Sequence, residues 1–265
     1  DNTGSMAQNG KMDALKVAVG NMIARLQAGR ADPNDVKMSV VPFNTEVKVD
    51  PAQFNAPWLR WDVTLENPAF GAAGRVPPLP GTWQGCISDR DQPFDTSTEA
   101  PIDQFRRYPA SQCHFAGLVQ MAPLTTDLDL IRARTNAMFP TGNTNVTVGL
   151  TTALATLRPD SPFGTAPSSS SSVRKYLIVL TDGDNTMNRW TNSQASIDAR
   201  LSAACVQARA LNVQVFTVRV LQGNASLLQS CATNPSMYYD VTNASQLDGV
   251  FRSILEKIDN IRIVS

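Results

Sequence analysis

The chain lacks both a long apolar run and an excess of charge of either sign. It has 23 Lys and Arg against 23 Asp and Glu in 265 residues, and no run of basic residues, so the electrostatic footprint of a nucleic-acid-binding protein is missing. A membrane-spanning helix needs about 18 or more consecutive apolar residues, and no stretch reaches that length. We therefore expect no nucleic-acid partner and no membrane span within these residues.

Histidine is almost absent, and the cysteines lack the spacing of a metal site. His114 is the single histidine, and no two of the four cysteines form a Cys-x-x-Cys pair. Structural zinc sites are built from closely spaced Cys and His ligands. We therefore expect no zinc site, and we interpret His114 as a surface or turn residue.

What the sequence does contain is an alternation of helical and strand patterns. Apolar residues recur at helical spacing over 11–28, and a continuous apolar run typical of a central parallel strand covers 174–181. The predicted elements are helix 11–28, strand 37–43, helices 127–138 and 145–157, strand 174–181, helix 193–211, strand 213–220, helix 225–232, strand 237–241 and helix 245–259. This alternation predicts an α/β fold with a doubly wound, mostly parallel sheet flanked by helices, and a ligand site at the carboxyl ends of the strands.

Two segments interrupt the alternation within what we interpret as a single domain over 1–265. Residues 50–125 are rich in Pro, Gly and aromatic residues and contain Cys86 and Cys113, which is typical of an irregular insertion stapled by a disulfide. Residues 158–173 (RPDSPFGTAPSSSSSV) have the composition of a flexible surface loop. Since 42% of the residues are hydrophobic, the chain can bury a sizeable core.

The four cysteines indicate an oxidising compartment. Pairing Cys86 with Cys113 and Cys205 with Cys231 would close two loops of similar length, each stabilising the fold by roughly 3–4 kcal/mol. Disulfides persist mainly outside the cytoplasm, so this pairing predicts an extracytoplasmic protein. The alternative, four reduced thiols in a cytosolic protein, stays open at this point.

Three short polar segments supply oxygen ligands for a hard divalent cation. They are DNTGS at 1–5, GNTNVTVGL at 142–150 and VLTDGDN at 179–185. Together they provide the carboxylates of Asp1 and Asp182 and the hydroxyls of Thr3, Ser5 and Thr144. Oxygen ligands of this kind suit Mg²⁺, and neutral hydroxyls leave the ion electrophilic toward a further acidic ligand. Each segment alone is typical of an ordinary turn, but the three in this order favour a metal site.

This set resembles the metal-ion-dependent adhesion site of the von Willebrand factor A domain, in which Asp-x-Ser-x-Ser is followed by a Thr and, after an apolar strand, by Thr-Asp-Gly. Asp1, Thr3 and Ser5 match the first motif, with Thr in place of its first Ser, and Thr144 and Asp182 match the others. The resemblance implies a Rossmann-like fold that binds Mg²⁺, or else Mn²⁺ or Ca²⁺. It further implies that Thr3 and Ser5 touch the metal, that Asp1 and Asp182 act through water, and that Thr144 engages when a partner binds.

The C-terminal third is similar to TadG-like (TadE/TadG-like) proteins of the Tad (Flp) pilus apparatus, which join an N-terminal membrane helix to an extracytoplasmic domain of this family. The similarity rests on residues 227–265, WQGCISDRD at 83–91 and PLTTDLDLI at 123–131. It implies a place in the periplasm or cell envelope, with an inner-membrane anchor in the full-length protein. Because no apolar strand precedes Asp1, we expect that the anchor and the first strand of the sheet are missing from this sequence.

Two alternatives belong to other classes of protein. DNTGS is also similar to the Asp-x-Thr-Gly-Thr loop of haloacid-dehalogenase-like phosphotransferases, in which Asp1 would be the nucleophile and Asp184 a Mg²⁺ ligand. Such an enzyme needs a Lys between its motifs, and residues 132–173 contain none, so we expect no catalytic residues and no enzyme. The other alternative keeps the fold without a metal, as a structural assembly module.

The sequence as a whole predicts a non-enzymatic, metal-dependent protein-binding module, in Tad/Flp pilus assembly or surface adhesion. The expected partner is a pilus or envelope protein. It would offer a Glu or Asp carboxylate that completes the coordination of the metal.

Overall fold

The structure, a computed structural model, describes residues 1–163, 166–168 and 173–263, with side chains up to Asp259. Its strands are β1 Met38–Val40, β2 Val47–Lys48, β3 Leu59–Arg60, β4 Cys86–Ile87, β5 Tyr108–Pro109, β6 Ala122–Thr125, β7 Tyr176–Thr181, β8 Gln214–Val220 and β9 Tyr238–Val241. Its helices are α1 Lys11–Gly29, α2 Gly71–Arg75, α3 Leu128–Asn136, α4 Val146–Thr156, α5 Gln194–Ala210, α6 Ala225–Cys231 and α7 Leu247–Ile263. Each helix and strand predicted from the sequence is present, with ends that differ by a few residues.

The main sheet consists of β7, β8 and β9, which are parallel and lie in that order. Successive side chains of a strand point to opposite faces, and the core divides accordingly. Leu177, Val179 and Val215 pack with α4 and α5 on one face. Phe216 and Val218 pack with α1 and α7 on the other. Because helices cover both faces of a parallel sheet, the predicted doubly wound α/β fold is confirmed.

Strand β1 pairs outside this sheet, in an antiparallel ladder with β6. Met38 lies opposite Thr125, and Val40 lies opposite Ala122. The sequence analysis assigns 122–125 to the irregular insertion, but these four residues form a regular strand. Pro123 concealed it, since proline is confined to edge strands and bulges of sheets and argues against a central strand.

A cavity of about 940 Å³ separates β1 from β7. Its walls are those two strands and the apolar faces of α1, α4 and α7, including Leu15 and Phe251. Asp1 lies in the same lining. Within the described ranges no strand ladder joins β1 to β7, so the β1–β6 ladder and the main sheet lie on either side of this cavity.

Residues 50–125 pack onto the main core instead of building a core of their own. The segment holds two short ladders, β2 with β4 and β3 with β5. Its aromatic rings meet edge to face: Trp58 lies 5.9 Å from Tyr108, and both contact Phe163, at 5.0 and 4.9 Å between ring centroids. These rings belong to the same apolar cluster as α4 and α5. Burial of aromatic side chains thus stabilises residues 50–125, which contain little regular secondary structure.

Both predicted disulfides are bonded. Cys86 and Cys113 form a bridge within residues 50–125, the aromatic segment, with Cα atoms 5.1 Å apart. Cys205 and Cys231 join α5 to α6, with Cα atoms 5.2 Å apart. No helix in the described part of the chain is long and apolar enough to cross a membrane.

The Pro/Ser-rich stretch 158–173 is described in part. Residues 164–165 and 169–172 lie outside the described residues. Phe163 is 4% exposed and Ala166 is buried as well. The stretch therefore contributes to the core as well as to the surface, which its polar composition had not indicated.

Candidate metal centre

The first turn of the chain is folded around its own carboxylate. Oδ1 of Asp1 accepts a hydrogen bond of 2.7 Å from the backbone N–H of Thr3, and Oδ2 accepts one of 2.7 Å from the hydroxyl of Thr181. The backbone N–H of Gly4 donates to the carbonyl of Gly142 at 2.9 Å. These bonds fix the loop between the end of β7 and the segment that leads into α4.

Asp182, the residue after β7, is fully buried and forms the centre of the site. Its Oδ1 accepts a 2.6 Å hydrogen bond from the hydroxyl of Ser5, and its Oδ2 lies 2.5 Å from Nζ of Lys11. Lys11 Nζ also donates to the backbone carbonyl of Ser5 at 3.2 Å. The hydroxyls of Thr3 and Ser5 are 3.0 Å apart. A hydrogen-bonded chain therefore runs from Asp1 through Thr3 and Ser5 to Asp182.

Thr144, in the loop that leads into α4, lies close to the hydroxyl of Ser5. Its backbone N–H donates to the hydroxyl of Thr186 at 2.8 Å, and its carbonyl accepts from the backbone N–H of Thr186 at 2.9 Å. A Cβ atom placed on Gly183 would lie 3.4 Å from Ser5 Oγ and 3.7 Å from Thr144 Oγ1. The two hydroxyls therefore face the same small volume beside a glycine. All five residues predicted from the sequence are brought together.

The donor set has the chemistry of a site for a hard cation. Two carboxylates and three hydroxyls meet at the carboxyl end of the parallel strand β7, and α/β folds bind ligands at the carboxyl ends of such strands. The Lys11 ammonium against Asp182 shows that positive charge is already accommodated there. Among the described residues no three His, Cys, Asp or Glu side chains converge, so a metal would depend on the hydroxyls as much as on the carboxylates.

Lys11 is the site residue that the sequence interpretation missed. It is the first residue of α1 and is 1% exposed. The amino end of a helix carries partial positive charge, so a cation is disfavoured there unless a partner compensates it. That unfavourable placement, six residues after Ser5, was the signal available in the sequence.

A second polar cluster ties the aromatic segment to the residue that follows Thr144. The carboxylate of Asp89 accepts from Asn145 Nδ2 at 3.0 and 2.9 Å and from the backbone N–H of Arg189 at 3.2 Å. Burial raises the pKa of Asp89 to about 6, and the hydrogen bond from Asn145 opposes that rise. Oδ1 of Asn145 in turn caps α4 by accepting from Val148 N–H at 3.4 Å. The segment 50–125 is thereby coupled to the start of α4.

The two polar residues that follow Gly183 have different surroundings. Asp184 is exposed. Asn185 is buried, and its Oδ1 accepts from Val146 N–H at 2.9 Å while its Nδ2 donates to Asp198 at 2.8 Å. Asn185 therefore positions the loop, whereas Asp184 lies at its rim.

His114, interpreted from the sequence as a surface or turn residue, is half-buried and lies in a bend of the chain. Its ring lies edge to face with Phe70 and Phe115, at 5.0 and 4.6 Å between centroids, and burial lowers its pKa. Its backbone N–H donates to Oε2 of Glu46 at 2.8 Å. Burial raises the pKa of Glu46 to about 7, and the hydrogen bond from the His114 backbone N–H opposes the rise.

Three solved structures have the same fold at low sequence identity. The vWF domain of the type V pili tip protein Mfa5 from Porphyromonas gingivalis is 11% identical, with a TM-score of 0.57, over 100% of this chain and 94% of that one. The pilus adhesin SpaC from Lactobacillus rhamnosus GG is 12% identical, with a TM-score of 0.55, over 97% of this chain and 29% of the adhesin. Proximal thread matrix protein 1 from the mussel byssus is 14% identical, with a TM-score of 0.51, over 96% and 44%. The chain thus spans less than half the length of the last two proteins.

Sequence comparison gives the family directly. No curated protein matches the chain. The family model of the von Willebrand factor type A domain matches residues 119–253, which include Thr144 and Asp182 and more than half of the chain. The matched range and the shared fold agree. This chain belongs to the von Willebrand factor type A domain family.

Proposed function

We propose that this chain is a non-enzymatic module that binds a protein partner through a divalent cation, with Mg²⁺ first and Mn²⁺ or Ca²⁺ as alternatives. The observation that carries the proposal is the hydrogen-bonded chain from Asp1 through Thr3 and Ser5 to Asp182, with Thr144 beside it. Carboxylate and hydroxyl oxygens are ligands for hard cations, and none of these five side chains is a soft donor.

Each of the five residues has a distinct part in this proposal. The hydroxyls of Thr3 and Ser5 hold the ion directly, and the Asp1 and Asp182 carboxylates hold it through water. Thr144 joins when a partner is engaged, because its hydroxyl lies beside Gly183 at the same small volume. A bound ion supplies one electrophilic position for an acidic side chain of the partner.

The rim of the site suits a protein ligand. Asp184, Thr186 and Gly4 are exposed around the buried centre. The side chain of Phe139 is 69% exposed, and its backbone carbonyl accepts a 2.9 Å hydrogen bond from Asn2 in the first loop. Phe139 is thereby joined to the first loop and offers an exposed aromatic residue to a partner, and aromatic residues are enriched at interfaces.

The place of action that we propose is outside the cytoplasm, in the periplasm or cell envelope. Two disulfides stabilise proteins in oxidising compartments. The resemblance to TadG-like proteins supports a role in Tad/Flp pilus assembly, with an inner-membrane anchor in the full-length protein. Two solved structures with this fold come from pilus proteins, which fits that role.

A metal-independent assembly module is the second candidate, and one observation favours it. Lys11 already neutralises Asp182, so the fold does not need a metal to compensate that buried carboxylate. The phosphotransferase alternative has less support. Both carboxylate oxygens of Asp1 accept hydrogen bonds, Lys11 contacts Asp182 and Asp184 is exposed.

The test is capture of envelope proteins on the immobilised chain, with Mg²⁺ and with EDTA. We expect capture that requires Mg²⁺ and that is lost in Thr144→Val, which removes one hydroxyl at nearly constant volume. The control Thr64→Val makes the same change at an exposed position of the aromatic segment and should capture like the wild type. Equal capture with and without EDTA would favour the metal-independent module.

A further inference from the structure

Lys11 is a buried cation that the proposed metal site does not require. Its side chain is 1% exposed, and that of its partner Asp182 is 0% exposed. An unpaired buried charge is strongly unfavourable, so the ammonium is held in place by the carboxylate that it neutralises. Its second contact is the carbonyl of Ser5, in the loop that supplies the hydroxyl ligands.

We propose that the Lys11 ammonium competes with the divalent cation and makes metal binding depend on an acidic partner. This inference rests on the proposed function, since it concerns the same site. Lys11 touches both Asp182 and the DNTGS loop, so it lies where it opposes any cation that those two elements hold.

The balance of charge gives the direction of the effect. Asp1, Asp182 and Lys11 together leave one net negative charge at the site. A divalent ion would reverse this to one net positive charge, with two cationic groups a few ångströms apart and shielded from water. The carboxylate of a partner would return the site to neutrality. The metal alone is therefore bound weakly, and metal and partner carboxylate each raise the affinity for the other.

Two substitutions separate charge from geometry. Lys11→Gln removes the charge but keeps an N–H donor toward Asp182, whereas Lys11→Arg keeps the charge. Lys16→Gln is the matched control, since Lys16 lies on the same helix, five residues after Lys11. Each protein is titrated with Mg²⁺ in a calorimeter, with and without acetate as a carboxylate probe, and its thermal unfolding is followed in EDTA and in Mg²⁺.

We expect Lys11→Gln to bind Mg²⁺ about tenfold more tightly than the wild type, because one repulsive charge is gone. Lys11→Arg and Lys16→Gln should bind like the wild type. Acetate should tighten Mg²⁺ binding by the wild type and have less effect on Lys11→Gln. Lys11→Gln should also unfold at a lower temperature than the wild type in EDTA and recover most of that loss in Mg²⁺.

Equal or weaker Mg²⁺ binding by folded Lys11→Gln would overturn the competition while leaving the metal site itself in place. If Lys11→Gln does not fold, the acetate experiment on the wild type decides, and unchanged Mg²⁺ affinity in acetate would overturn the inference. Absence of Mg²⁺ binding in every protein, with acetate present, would overturn the proposed function as well.

Discussion

The hydroxyl of Ser5 donates a 2.6 Å hydrogen bond to Oδ1 of Asp182, although 177 residues separate the two in sequence. Ser5 follows Gly4 in the first loop, and Asp182 follows strand β7. This bond therefore joins two parts of the site that lie far apart in the sequence. The other oxygen of this carboxylate, Oδ2, forms an ion pair with the ammonium of Lys11. Its two oxygens thus contact the Ser5 hydroxyl and the Lys11 ammonium.

Removal of Asp182 tests how strongly this pair stabilises the fold. Asp182→Ala leaves the Lys11 ammonium buried without its counter-charge, and we expect a loss of about 3–5 kcal/mol in the free energy of unfolding. The double variant Lys11→Met/Asp182→Ala should recover most of that loss, because it removes the unpaired charge. Urea unfolding measures both. The exposed control Asp184→Ala should change stability by about 0.5 kcal/mol or less. An Asp182→Ala variant as stable as that control would contradict the buried ion pair.

Glu46 makes the stability of the fold depend on pH near neutrality. Burial raises its pKa from an ordinary value of 4.5 to about 7. Since the folded state holds the proton more tightly than the unfolded state, the free energy of unfolding is highest below the unfolded pKa and falls as pH rises through 7. Asp89 also lowers the free energy of unfolding as pH rises, in a lower pH range, because burial raises its pKa from 3.8 to about 6.

We expect Glu46→Gln to be more stable than the wild type at pH 8 by about 2–3 kcal/mol and to show a smaller difference at pH 5. The more exposed Glu99→Gln serves as control. Urea unfolding at the two pH values is the measurement. A wild type that gains stability between pH 5 and pH 8 would show that Glu46 is not held in its neutral form.

The disulfides should be present in native protein made in an oxidising compartment. Non-reducing peptide mapping is expected to link Cys86 with Cys113 and Cys205 with Cys231. Replacing Cys205 and Cys231 together by Ser should lower the free energy of unfolding by about 3–4 kcal/mol, because the unfolded chain loses a loop constraint. Four alkylatable thiols in natively folded protein would contradict the extracytoplasmic location.

The cavity between β1 and β7 should accept one more strand. Fusing an apolar segment of about six residues before Asp1 is expected to fill that space and to supply backbone hydrogen bonds to both strands. Melting temperature and Mg²⁺ affinity should both rise, since the DNTGS loop would be held at its start. A Gly/Ser segment of equal length is the control. If the control raises both quantities equally, the cavity is not a strand site.

The sequence was sufficient for the main parallel sheet and for five polar residues that the structure brings together, because local patterns and short motifs mark both. The apolar run of β7 and the alternation at Leu177 and Val179 can be read from neighbouring residues alone. The partner of Lys11 could not be read in this way, since the pair joins positions 171 residues apart. The same holds for Asp89 and Asn145, which meet because the aromatic segment folds back onto α4.

The most direct test of the central claim is a calorimetric titration of the chain with Mg²⁺ in the presence of acetate as a carboxylate probe, compared with the same titration of Ser5→Ala. Ser5→Ala removes a hydroxyl that lies 3.0 Å from Thr3 Oγ1 and hydrogen-bonds to Asp182. The control Ser202→Ala makes the same change at an exposed position of α5. We predict saturable binding of one Mg²⁺ by the wild type and by the control, and an affinity at least about tenfold weaker in Ser5→Ala. No saturable binding by the wild type, or equal affinity in Ser5→Ala, would contradict a metal site built on these hydroxyls.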